Sequence, residues 1–206
     1  MVVTKHFPVE EIDYNYLKSF LSEYKNVRVK INDMLKKKEI VRIKKGLYVL
    51  GKPYSKSLFY KETLSNLIYG PSYISLEYAL SFYGMIPEKV QIVTAVTNKR
   101  NKVFDTPLGR FSYRYINTSL YPEGIDLIEL DETHNVLIAS KEKAVADTLY
   151  FADRFQNTNE LKSYLFDSLR IGQSEVKKLS VNKIKRLAKI YGGNILILQK
   201  YLTEEK

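Results

Sequence analysis

Between Lys25 and Lys56 the chain carries 11 lysines and arginines against two acids, Asp33 and Glu39, a net charge of +9 over 32 residues. Groups of that kind at that density bind phosphate oxygens. Arginine and asparagine within the stretch add the ability to read base edges, because each offers a two-pronged hydrogen-bonding head. The candidate DNA-binding set is therefore Arg28, Lys30, Asn32, Lys36, Lys37, Arg42, Lys44 and Lys45. A solvated lysine-rich face on a small domain is the plainer explanation of the charge alone.

Other chemistry-bearing residues are sparse. Asp126, Glu129, Asp131 and Glu132 cluster around one apolar run, in the manner of the paired carboxylates that hold catalytic metal ions. No lysine alternates with them, as a nuclease strand would want, and a solvated strand end is the better explanation. His6 and His134 are the two histidines, with no acidic or hydroxyl partner at motif spacing, so no metal centre or catalytic triad is expected. The run from Gly46 to Pro53 has the outline of a phosphate-binding loop, but Pro53 stands where that loop needs serine or threonine. With no cysteine in 206 residues, disulfides and thiolate chemistry are excluded. No cofactor is expected.

The elements that position the basic residues follow from hydrophobic period. Val27, Ile31, Met34 and Leu35 recur at helical spacing behind Asn26, which predicts a helix capped by Asn26. Val41 and Ile43, then Leu47 and Val49, alternate on either side of Lys45-Gly46, which predicts a hairpin with a two-residue turn. A preceding helix is predicted over Val9 to Tyr24, its main part capped by Asp13. Helix, turn, helix and basic hairpin are the plan of a winged helix-turn-helix.

Beyond Gly51 to Lys56, a linker by composition, charge and pattern change. Residues 1–56 carry a net +7, residues 57–172 a net −2 and residues 173–206 a net +5. Helices are expected from Ser57 to Tyr69 and after Ser75, which takes an N-cap position, with Gly84 closing the latter. Strands are expected over Val90–Thr97, Lys102–Asp105, Gly109–Ile116, Gly124–Leu130 and Val136–Ala139, forming a mixed or antiparallel sheet. Ser140 caps a helix running to Phe151, and helices follow from Asn159. One of these presents Lys177, Lys178, Lys183, Lys185, Arg186 and Lys189, either a solvated face or a second phosphate-contacting surface. No run reaches the roughly 18 apolar residues of a membrane span, and Met1–Pro8 lacks the apolar centre of a signal peptide. A cytoplasmic protein is expected.

Four segments carry a family resemblance: Ile40–Gly51 (IVRIKKGLYVLG), Gly70–Pro87 (GPSYISLEYALSFYGMIP), Thr106–Phe111 (TPLGRF) and Ala139–Asp147 (ASKEKAVAD). In order and spacing they resemble the AbiEi antitoxins of bacterial type IV toxin-antitoxin (abortive infection) systems. The resemblance spans roughly residues 7–155. It implies a non-enzymatic protein of two functions, an N-terminal winged helix that represses its own operon and a domain that counters a nucleotidyltransferase-like toxin without a stable complex. It places Ser75, Glu77, Tyr78, Lys143 and Asp147 in the antitoxin-domain motifs. The expected architecture is α+β, with a winged helix-turn-helix at 1–53, an α/β antitoxin domain at 54–155 and a helical segment at 156–206 packed on it. Partners would be operator DNA, bound by one copy or by two on an inverted repeat, and the toxin. A transcriptional regulator whose second domain senses a ligand, and a metal-dependent defence nuclease, are the competing readings.

Overall fold

The hairpin predicted around Lys45-Gly46 forms β2 (Ile40–Lys44) and β3 (Leu47–Leu50). Gly46 sits at φ +89°, a left-handed conformation that glycine enters without the Cβ clash other residues meet. These and the following coordinates are those of a computed structural model, which describes residues 10–52 and 59–204. Before the hairpin lie β1 (Glu11–Asp13), α1 (Tyr14–Phe20) and α2 (Val27–Lys36). Asp13 and Asn26 cap the two helices as expected, each accepting from main-chain N–H groups of the first turn. Instead of one helix from Val9 to Tyr24, residues 11–13 are extended and pair with β3, giving a three-stranded sheet of order β1-β3-β2. Val9 itself lies outside the described residues, as do Met1–Pro8, Pro53–Lys56 of the expected linker, Ser57 and Leu58.

The hairpin has two apolar faces. Ile40, Tyr48 and Leu50 pack with Leu17, Ile31 and Met34 under α1 and α2. Ile43, Leu47 and Val49 belong instead to the main core of the molecule, with Leu64, Ile68 and Tyr73. So β3 is buried along its whole length.

The rest of the chain is built on a six-stranded mixed sheet. After α3 (Lys61–Ile68) come β4 (Ser72–Ile74), α4 (Leu76–Phe82), β5 (Val93–Thr97), β6 (Lys102–Thr106), β7 (Gly109–Tyr115), β8 (Ile125–Glu129) and β9 (Asn135–Ala139). Their spatial order is β6-β7-β5-β4-β9-β8, with β5–β7 and β4–β9 parallel and the other pairs antiparallel. The architecture is α+β. The five expected strands are present, and β4 is a sixth that the sequence pattern did not reveal. It lies second from β8 through β9, so the residues around Ser75 emerge from the middle of the sheet. The helix expected from Ser57 is described only from Lys61.

Helices cover both faces. Val96 and Ala95 are consecutive on β5 and therefore point to opposite sides. Their neighbours across the strand are Tyr73 and Tyr113. Tyr73 reaches α5 (Lys141–Tyr150), and Tyr113 donates to the Ser65 carbonyl of α3 at 2.7 Å. Over α5 lie α8 (Val181–Tyr191) and α9 (Gly193–Glu204), reached through α6 (Thr158–Ser163), a π-helical turn at Tyr164–Ser168 and α7 (Gln173–Lys177). Residues 142–149 of α5 are all buried, as a helix wedged between a sheet and two helices must be. Among the described residues no helix is long and apolar enough to cross a membrane.

Candidate nucleic-acid interface

Helix α2 turns Ile31 and Met34 inward, so Arg28, Asn32 and Lys36 face solvent on the opposite side. The hairpin brings Arg42 and Lys45 alongside. Between helix and hairpin runs a groove of about 610 Å³ lined by Arg28, Asn32, Arg42 and Lys45 over a floor that includes Ile31 and Tyr48. Four of the eight residues singled out in the sequence thus converge on one concavity. The remaining four lie outside its lining. Lys36 is exposed at the end of α2. Lys37 pairs with Asp33 at 2.8 Å, a hydrogen bond that holds the Asp33 carboxyl below its ordinary range. Lys30 lies 3.9 Å from the same carboxylate and 5.1 Å from the centre of the Tyr24 ring. Lys44 turns away from the groove and donates to the carbonyl of Ile68 on α3.

The residues of the antitoxin-like motifs fall into two groups. Ser75, Lys143 and Asp147 meet inside the protein with no more than traces of exposure. Oδ2 of Asp147 accepts from Ser75 at 2.7 Å and from Tyr73 at 3.0 Å, while Oδ1 accepts from Tyr191. Lys143 Nζ lies 3.5 Å from Oδ1, donates to the Leu120 carbonyl at 2.6 Å and contacts the Tyr191 hydroxyl. Lysine and aspartate four apart on one helix lie on the same face, here with Lys143 N-terminal to Asp147. Burial pushes the Asp147 carboxyl up and the Lys143 ammonium down, because charge is costly out of water. Burial and the neighbouring Asp147 carboxylate likewise raise the Tyr73 and Tyr191 phenols. Ser75 occupies the N-cap position of α4, but its hydroxyl goes to Asp147 and makes no capping bond. Glu77 and Tyr78 lie apart from this cluster, half-buried on α4; the Tyr78 hydroxyl donates to Glu62.

Tyr73, Tyr191 and the Leu120 carbonyl are members of the cluster that sequence reasoning missed. Tyr73 carried a usable signal, standing two positions before Ser75 and so on the same side of an extended chain. Tyr191 comes from α8 with no local pattern to announce it.

His134 corrects the sequence reading, for it has acidic partners on both ring nitrogens. Nδ1 lies 2.8 Å from Oδ1 of Asp131, and Nε2 lies 3.2 Å from Oε2 of Glu11 on β1. The Thr133 hydroxyl is also within 2.9 Å of Nδ1. Both His134 and Glu11 are buried, so the contact joins the N-terminal sheet to the turn between β8 and β9. Burial opposes the imidazolium, but the Asp131 hydrogen bond and the charges of Glu11 and Asp131 outweigh it and raise the His134 pKa. Asp131 is held well below the carboxylate range, first by the Thr133 N–H. Of the candidate metal-binding carboxylates, Asp131 is thus committed to His134, while Asp126, Glu129 and Glu132 are exposed. Among the described residues no group of three histidines or acids has the geometry to hold a metal ion.

The basic residues near the C-terminus are partly neutralised. Lys178 pairs with Glu175 at 2.6 Å, Lys183 lies 3.6 Å from Glu142 and Arg186 lies 3.9 Å from Glu123. His6 lies outside the described residues. No family model and no curated protein matches this chain.

Proposed function

We propose that the chain is an antitoxin of the AbiEi type, acting also as repressor of its own operon through a winged helix-turn-helix formed by α1, α2 and the β2–β3 hairpin. The observation that carries the DNA-binding half is the groove in which Arg28 and Asn32 of α2 face Arg42 and Lys45 of the wing. In the winged-helix reading, α2 enters the major groove, where Arg28 and Asn32 read base edges, and the wing holds the phosphate backbone. β1 supplies the third strand that a hairpin alone lacks.

The antitoxin half rests on the sequence resemblance. The buried cluster supports a structural part for Ser75, Lys143 and Asp147, because all three are occupied by one another. Their motif then fixes how α4 and α5 sit on the sheet, and Glu77, half-buried on α4, is the motif acid left outside the cluster. Countering a nucleotidyltransferase-like toxin would fall to surfaces that this cluster holds in place.

The test is growth of cells expressing the adjacent open reading frame alone or with this protein. Toxicity relieved by the intact chain supports the reading. A neighbour that is harmless, or toxicity that persists, overturns the antitoxin half. Deleting residues 1–53 is the wrong control, since Ile43, Leu47 and Val49 belong to the main core. Full-length Arg28→Ala with Asn32→Ala serves instead.

A further inference from the structure

Strand β8 is one edge of the six-stranded sheet, with β9 as its neighbour among the described residues. Sheet edges are ordinarily blunted by lysine, proline or a bulge. Residues 125–129, Ile-Asp-Leu-Ile-Glu, hold neither lysine nor proline, and their register with β9 runs without a shift. At the centre of the strand Leu127 is 68% exposed, more than any other large apolar side chain among the described residues. Leu137, directly opposite on β9, is 40% exposed. The two leucines form an apolar strip that ends at the free edge.

The alternation of hydrogen bonds fixes which main-chain groups of β8 are turned outward. The Gly124 carbonyl accepts from the Ser140 N–H at 2.8 Å, and the Leu130 N–H donates to the His134 carbonyl at 2.8 Å. In an antiparallel pair such bonded positions recur at every second residue, so Asp126 and Ile128 also bond to β9. The N–H and C=O groups of Ile125, Leu127 and Glu129 therefore point away from β9, along the open edge.

We propose that β8 pairs antiparallel with β8 of a second copy of this chain, about a two-fold axis at Leu127, joining the two sheets edge to edge. In that register Leu127 meets Leu127 of the second copy, and Ile125 meets its Glu129. Every outward residue of one strand then faces an outward residue of the other, and each opposed pair exchanges two main-chain hydrogen bonds. Directly opposed residues share a face of the sheet. Leu137 and Leu127 of one copy thus line up with Leu127 and Leu137 of the other in a single apolar row across the axis.

Charge selects this register and makes the strand its own complement. Asp126 falls opposite Ile128 and Glu129 opposite Ile125, so no acid stands opposite an acid. An axis at Asp126 would set that carboxylate against its own copy, which like-charge repulsion opposes, and an axis at Ile128 would set Leu127 against Glu129. Because the same strand serves on both sides, the contact closes on itself as a dimer and does not propagate. This surface is separate from the groove between α2 and the hairpin, and the inference does not depend on the DNA-binding or antitoxin readings.

The experiment is sedimentation velocity of the full chain, without DNA, over a series of concentrations, combined with disulfide trapping. The chain is expected to pass from a monomer of 24.0 kDa to a species of twice that mass as concentration rises. Leu127 is exposed, so Leu127→Lys leaves the fold intact but sets two like charges at the axis. That variant is expected to stay monomeric at every concentration at which the unaltered chain pairs. The chain has no cysteine, so Leu127→Cys carries a single thiol. Cα atoms of a hydrogen-bonded antiparallel pair lie about 5.5 Å apart, within disulfide range, and mild oxidation is expected to link two copies of Leu127→Cys. Glu129→Cys would stand four residues along from its copy, about 14 Å, and is expected not to link. A monomer at all concentrations overturns the inference. So does a dimer that survives Leu127→Lys, failure of Leu127→Cys to link, or linking of Glu129→Cys as readily as Leu127→Cys.

Discussion

The hydroxyl of Ser75 lies 2.7 Å from Oδ2 of Asp147, although 72 positions separate the two residues. One begins α4 and the other lies on α5, so this hydrogen bond clamps two helices across the middle of the sheet. Removing the acceptor leaves Lys143 and three hydroxyls buried without their partner. Asp147→Ala is therefore expected to cost about 3–5 kcal/mol in denaturant unfolding. Replacing the pair together, Lys143→Met with Asp147→Leu, should cost less, because no charge is left stranded. Equal losses in the two variants would show that the ion pair is not what the cluster depends on.

The His134 link gives a pH dependence of defined sign. Its folded pKa is raised, so its stabilisation is complete below the unfolded value of about 6.5 and is lost as pH rises through the folded value. Glu11 opposes at neutral pH, since burial raises its pKa and Oε1 has no partner of its own. The unaltered chain should lose thermal stability relative to His134→Gln as the pH climbs from about 6 to about 9. Parallel melting profiles across that range would contradict the link.

Two glycines of the hairpin region separate conformation from space. A Cβ on Gly51 would stand 1.9 Å from the main-chain oxygen of Lys38, an overlap that only backbone movement relieves. Gly46 has open space around it and only its left-handed φ to lose. Gly46→Ala is expected to cost about 1 kcal/mol and Gly51→Ala more than about 3 kcal/mol, both by chemical denaturation. Residues 47–50 form strand β3 where a phosphate-binding loop would need open loop backbone, which excludes that reading of Gly46 to Pro53.

Local signals were legible in the sequence. Asn26, Asp13 and Ser140 cap helices because a short polar side chain reaches N–H groups two or three residues ahead, and that geometry needs no tertiary structure. Gly84, at φ +66°, ends α4 for an equally local reason. Two strands of three residues, β1 and β4, were invisible, because three positions are too few to display an alternating period. Ser75 has the residue type of a capping serine but is drawn off by a distant aspartate. For His134 the nearer partner could have been read, since Asp131 stands three residues before it and accepts the N–H groups of Thr133 and His134. Glu11, on a strand 123 positions away, could not. Lys44 was expected to contact DNA. The register shift between Arg42 and Lys44 sends it the other way.

The groove between α2 and the β2–β3 hairpin carries the proposed DNA contact, and a comparison of base preference tests it most directly. The full chain would be titrated on the DNA upstream of its own gene and on a scrambled duplex of equal length. Preference for the upstream DNA is expected, with Arg28→Ala or Asn32→Ala reducing that preference by the equivalent of about 1–3 kcal/mol. Arg42→Ala and Lys45→Ala should weaken both duplexes alike. Equal affinity for the two duplexes in the unaltered chain, or a preference that survives loss of both Arg28 and Asn32, would contradict the assignment of this groove as the surface that reads DNA.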